Sequence, residues 1–200
     1  MKEKKRQRMN IIIGIIIAFL MIASVIGYAL LESYQGEEGQ TAKYRNYKFI
    51  KTENGWQTQI KVANQLITIN TYHLPQEVEN ISSEGKPLLA DFLNKVIFIV
   101  ATTETERQAA FEYNNFGAIA LRMQLACSPE NENSSFCVEN NLPLKSCEDA
   151  DWQTTIIKIK ETENETSVNY KNSCLEIKGK ATDLIKANEK AIFMTFGIIE

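Results

Sequence analysis

The chain begins with an apolar block and continues as short segments of alternating period. Residues 11–31 carry no charged side chain. At about 1.5 Å per residue, 21 helical residues reach roughly 30 Å, the thickness of a bilayer core. This block therefore predicts one transmembrane helix. Residues 32–43, rich in Gly and Glu and without apolar periodicity, read as a solvated linker. Beyond it, Trp56, Thr58, Ile60 and Val62 alternate with Gln57, Gln59 and Lys61, which predicts a half-buried strand. Residues 47–51 and 56–62 flank Asn54-Gly55, a pair suited to a type I′ hairpin turn. A third strand over 66–72 follows a turn at Ala63-Asn64. Pro75 opens a short helical turn to Ile81, and 82–86 reads as loop.

The second half has a different rhythm. Residues 87–94 fit one or two helical turns burying Leu88, Leu89 and Phe92, and Val96-Ile97-Phe98-Ile99-Val100 is a continuous apolar run expected to be covered on both faces. Thr103 and Glu106 have capping-box spacing, and Ala109, Tyr113 and Phe116 share one side of the helix that follows. Gly117 suits a left-handed helix stop, after which Ile119, Leu121, Met123 and Leu125 alternate as a strand. A strand, helix and strand in one sheet normally form a parallel crossover. Residues 128–153 form an acidic connection, 154–160 and 166–170 are expected to pair as a hairpin, and 174–178 continues or adds a strand. A final helix over 182–196 buries Leu184, Ile185, Ala191, Ile192 and Phe196 and stops at Gly197. The fold class expected is α+β: a basic tail (1–10), a transmembrane helix (11–31), a linker (32–43) and one disulfide-stapled domain with a mixed sheet (44–200).

Charge orients this arrangement. The net charge of -3 divides into +4 for residues 1–10 and -7 for residues 32–200, where 17 Lys and Arg face 24 Asp and Glu. Cations on one flank and Glu32, Glu37 and Glu38 on the other place the N-terminus in the cytoplasm and the large domain outside, at the cell membrane. Gly27-Tyr28-Ala29 offers a signal-peptidase pattern as the alternative, but cleaved apolar regions are usually about 7 to 15 residues long. An acidic domain lacks the clustered cations that phosphate contacts need, so no nucleic-acid partner is expected.

Cys127, Cys137, Cys147 and Cys174 all fall on the expected outer side and fit a disulfide framework. Register in the expected hairpin brings Cys174 near Asp151, favouring Cys147–Cys174 with Cys127–Cys137. Two other connectivities stay open. The loop from Cys127 to Asp151 would then lie over one end of the sheet, a candidate partner surface, since ligands gather at the carboxyl ends of parallel strands. Asn80, Asn133 and Asn164 begin glycosylation sequons acceptable outside the cell.

No P-loop, dinucleotide fingerprint, nucleophile elbow or His-Glu-x-x-His motif is present, so no catalytic residue, cofactor or metal is nominated. His73, the one imidazole, has no evident nucleophile beside it and reads as a surface or core-edge side chain. Glu130, Glu132, Glu139, Glu148, Asp149 and Asp151 lack calcium-loop spacing, and Glu104, Glu106, Glu112, Glu161, Glu163 and Glu165 fall where exposed carboxylates are ordinary. The expectation is a non-enzymatic, membrane-tethered extracytoplasmic module binding a protein or envelope component. An envelope enzyme and a pilin-like subunit are the alternatives.

From residue 96 the element order resembles a minimal thioredoxin-like core. Thr102-Thr103-Glu104-Thr105 stands where that family carries Cys-x-x-Cys, and Trp152-Gln153-Thr154-Thr155 where it carries cis-Pro, so the resemblance implies a fold without redox chemistry. The layout is also similar to small, uncharacterised membrane-anchored archaeal proteins. That likeness is carried by Trp56, the Pro75-Gln76-Glu77-Val78-Glu79-Asn80-Ile81 turn, the cysteine loop, Cys174-Leu175-Glu176-Ile177-Lys178-Gly179 and Gly197-Ile198. It implies no known activity.

Overall fold

The computed structural model describes residues 40–199 together with Met21. The expected basic tail, the transmembrane helix apart from Met21, and most of the linker lie outside the described residues, among which no helix is long and apolar enough to cross a membrane. The described part is a mixed α+β domain of two sheets and two disulfides.

The first sheet is an antiparallel meander of β1 (Thr41–Tyr44), β2 (Tyr47–Thr52), β3 (Gly55–Val62) and β4 (Gln65–Thr71). Its first strand takes in Thr41 to Lys43, which the sequence reading gave to the linker. Trp56, Thr58, Ile60 and Val62 are all buried, as their alternation requires. The β2–β3 turn differs from expectation. Thr52 pairs with Gly55, so the turn residues are Glu53 and Asn54, and Asn54 does not take a positive φ. Gly55 instead has φ +136°, and a Cβ there would lie 2.2 Å from the Thr71 carbonyl oxygen. Close approach to β4 thus fixes glycine here.

The second sheet has the order β5-β9-β10-β8-β6-β7. It is built from β5 (Ser82–Glu84), β6 (Val96–Val100), β7 (Arg122–Ala126), β8 (Thr154–Glu161), β9 (Ser167–Lys171) and β10 (Cys174–Gly179). Strand β5 forms where a loop was expected, paired in parallel with β9. Only one 3₁₀ turn, Leu89–Asp91, lies within 87–94; Phe92 is buried there but Leu88 is 53% exposed. Strands β6 and β7 are the parallel pair that the crossover predicted. The expected hairpin of β8 with β9 does not form. Strand β10 lies between them, parallel to β8 and antiparallel to β9, and β8 is itself parallel to β6. The thioredoxin-like order needs that hairpin, so this likeness is corrected to a mixed sheet of different topology. The physical reason is burial: Leu175 and Ile177 of β10 are wholly buried, which a central position satisfies and an edge would not.

Between β6 and β7 runs α2 (Glu104–Ala110), continued by a 3₁₀ segment Phe111–Phe116; the short α1 (Pro75–Val78) precedes β5. Thr103 and Glu106 form the expected capping box. Gly117 takes an ordinary right-handed φ of -58°, because the 3₁₀ segment lets the chain leave without a left-handed residue. Strand β7 begins only at Arg122, leaving Leu121 71% exposed.

The last helix, α4 (Leu184–Thr195), packs against both sheets. Phe193 meets Phe49 of β2 edge-on at 6.0 Å, and Phe196 meets Phe116 at 5.2 Å. Burial on every side includes Asn188, Glu189 and Lys190, so their polar atoms need internal partners. Lys190 Nζ donates to the carbonyls of Glu79 and Ile81, tying the chain around α1 to the helix.

The disulfides are Cys127–Cys137 and Cys147–Cys174. Strand register brings the second together by another route than the expected hairpin: Cys174 lies beside Ile156 at the start of the parallel β8–β10 pair. With sequence separations of 10 and 27, loop-closure entropy assigns them about 2.7 and 3.5 kcal/mol. The loop does not sit over one end of the sheet. It crosses one face, where Val100, Ala126, Ile156 and Cys174 cluster, with Lys145 over the Phe98 ring at 5.1 Å.

Candidate functional site

Strand β7 is one of the two outer strands of its sheet, opposite β5. Arg122 N–H donates to Lys95 and Ala126 accepts from Ala101, so in the parallel ladder residues 122, 124 and 126 turn their backbone polar groups inward. Met123, Leu125 and Cys127 turn theirs outward. The cysteine loop occupies the last position: Cys127 N–H donates to Pro143 at 2.9 Å and Cys127 accepts from Lys145 at 2.9 Å. The backbone groups of Met123 and Leu125 have no protein partner among the described residues. Native sheets usually blunt such an edge with charge, a bulge or a cover.

Beside this edge lies a groove of about 450 Å³ between β7 and α2, lined by Ile99, Ala110, Phe111, Leu125 and Phe136. Phe136 comes from α3 (Ser135–Glu139), within the ring closed by Cys127–Cys137. Arg107 stacks over it at 3.8 Å while holding Glu104 at 2.5 Å, so its charge is neutralised at the groove wall. Phe111 is 68% exposed and Val138 65%.

On the other side of Phe111 and Asn114 is a polar cleft of about 270 Å³, lined also by Asn54, Asn70, Tyr72, Glu112 and Asn115. Asn115 accepts from Asn70 N–H and donates to its carbonyl, both at 2.9 Å, covering that part of the β4 edge. Behind the cleft, Glu189 of α4 accepts from the backbone N–H groups of Tyr72 and His73, the second at 3.2 Å, and its other oxygen lies 2.6 Å from His73 Nδ1. Burial, opposed by those two N–H groups, pushes Glu189 up to about 7. Burial and then the Glu189 charge push Glu112 up to about 8. Burial lowers His73. No Ser, Thr or Cys side chain hydrogen-bonds the His73 ring among the described residues.

Other acidic residues singled out by sequence have local roles. Glu130 pairs with Lys160 at 3.3 Å, Asp149 accepts from Ser146 N–H at 2.7 Å, and Asp151 accepts from Gln153 and Thr154. Among the described residues no group of His, Cys, Asp and Glu could hold a metal ion. Asn80, Asn133 and Asn164 are all exposed. Glu106 and Glu112 overturn the reading of ordinary exposed carboxylates, at 7% and 8% exposure. Their positions at i and i+6 carry no sign of this, though Glu112 lies between the buried Ala109, Tyr113 and Phe116, which was a usable signal. Compared with known proteins, the chain matches no family model, no curated protein and no solved structure.

Proposed function

We propose that the protein is a non-catalytic, membrane-tethered extracytoplasmic module that binds an extended segment of a protein partner by adding it as a strand to β7. The observation carrying this reading is the pair of outward-facing backbone sites at Met123 and Leu125 beside an apolar groove. Strand addition takes affinity from main-chain hydrogen bonds and specificity from pockets for alternate side chains. The preferred segment therefore has apolar residues at every second position, one of them lying between Leu125 and Phe136. The cysteine loop contributes by supplying Phe136 and by closing the far end of the edge at Cys127. The resemblance to membrane-anchored archaeal proteins fits this reading and adds no activity to it.

Replacing Met123 by proline removes an outward N–H while leaving the inward ladder intact; replacing it by alanine keeps the N–H. Peptides selected on the full-length protein in micelles should bind M123P at least tenfold more weakly than M123A, and should protect the Met123 and Leu125 amides from exchange. Equal binding by the two variants would refute strand addition. Protection that appears with protein concentration alone would make the occupant a second copy.

The tether is tested separately. The unbroken apolar block at 11–31 and the cations before it support a single anchor with the domain outside. Protease added to intact cells or spheroplasts should degrade the domain and leave a short protected N-terminal piece. Full protection of the domain would reverse the orientation, and a mature chain starting near Leu30 would replace the anchor with a cleaved signal.

A further inference from the structure

We infer that the polar cleft between the β2–β3 turn, the end of β4 and the 3₁₀ segment at 111–116 binds a primary ammonium group, with the Glu112 carboxylate as its counter-ion. Glu112 is 8% exposed, lines the cleft, and accepts no hydrogen bond from any described residue. Its oxygens open to the cleft rather than being sealed from it, and with most of the side chain's hydration removed by burial they gain more from a charged donor than from water. Its neighbour Glu189 cannot supply one, since both of that residue's oxygens already face Tyr72 and His73.

The remaining lining suits a small organic cation. Asn70 and Asn115 are locked to each other, whereas the Asn54 and Asn114 side chains make no hydrogen bond among the described residues and can turn their carbonyl oxygens to an N–H₃ group. Tyr72 and Phe111 are 55% and 68% exposed at the rim, where aromatic rings favour a cation. No Lys or Arg lines the cleft. A divalent metal would need several anionic oxygens, and only one carboxylate here is uncommitted.

The titratable groups around Glu112 are Glu189 on α4, with His73 beyond it, the adjacent Tyr113 and the rim Tyr72. Glu77, Lys186 and Lys51 act on His73, and Glu77 and Lys186 act on Glu189. An arriving ammonium favours ionised Glu112, so binding should draw a proton off it. The site is independent of strand addition at β7, because it needs neither Met123 nor Leu125.

Cadaverine is the probe for a free amine, and a β7-binding peptide with one lysine is the probe for a side-chain amine. Titrated into the full-length protein in micelles, with the Glu112 carboxyl carbon followed by NMR, either should give a saturable shift. With Glu112 titrating at about 8, affinity should rise about fiftyfold from pH 6 to 8. E112Q should abolish both the binding and the pH slope. Cadaverine binding alone assigns a free amine; a lysine peptide binding more tightly than its alanine counterpart, with Met123 and Leu125 protected, assigns a partner's side chain. Absence of saturation with both probes, affinity indifferent to pH in the native protein, or retention of binding by E112Q would each overturn the inference.

Discussion

Replacing Glu106 by alanine should destabilise the domain by about 4 kcal/mol, more than the loss of either disulfide, because one buried carboxylate satisfies three backbone donors. Its Oε2 accepts from Thr102 and Thr103 at 2.8 and 3.0 Å, and its Oε1 accepts from Glu161 at 3.0 Å. The first two bonds hold the start of α2 and the third holds the end of β8, so this side chain links the helix to the sheet 55 residues further on. Hydrogen bonds to a charged group contribute about 1.5 to 3 kcal/mol each, and water entering the gap would recover part of the loss. E106Q keeps one acceptor oxygen but sets an N–H₂ against another donor, so it should lose about half as much. Urea denaturation with both disulfides intact measures the difference. A loss below about 1 kcal/mol for E106A would mean that the three donors find water without strain. Because α2 forms one wall of the groove, E106A should also weaken peptide binding at β7 before the domain unfolds.

What the sequence made legible was local, and what it hid was the order of strands. Alternation placed Trp56, Thr58, Ile60 and Val62 on one buried face, and the apolar run at 96–100 coincides with β6. The Thr103–Glu106 spacing gave the start of α2. Each of these depends on neighbours within a few residues. The insertion of β10 between β8 and β9 depends on which strands meet across the sheet, and a period of two is the same whichever neighbour a strand takes. The candidate sites inherit that dependence. Met123 and Leu125 are open because β7 is outermost, and Glu189 meets His73 because α4 passes the end of β4, 116 residues away in the chain. Capping-box spacing did mark Glu106, but its third bond, to Glu161, exists only once β8 lies beside β6. Glu189 was hidden for a further reason: helix reading assigns polar residues to a wet face, and α4 has none over its middle turns.

The buried acids should also make the folded state lose stability as pH rises through neutrality. Glu112 moves from 4.5 unfolded to about 8 folded, so the folded chain holds a proton that the unfolded chain releases. Its contribution is fully present below about 4.5, is lost between 4.5 and 8, and changes no further above 8. Glu189, raised to about 7, acts in the same direction over a narrower range. His73 acts oppositely: its lowered pKa penalises folding at acid pH, and that penalty fades as pH rises towards 6.5. The net fall should therefore be steepest above 6.5, at about 1.4 kcal/mol per pH unit for each carboxyl still protonated. E112Q carries the shape of the protonated side chain at every pH. It should match the native protein within about 1 kcal/mol at pH 5 and exceed it by about 5 kcal/mol at pH 9, with a flatter profile between. Parallel profiles for the two proteins would show that Glu112 ionises in the folded state without penalty. An ammonium ligand should narrow the gap at pH 9, because it stabilises the ionised carboxylate only where that carboxylate exists. The native protein gains from the ligand and E112Q does not, so the group that destabilises the empty domain is the one that the bound cation would relieve.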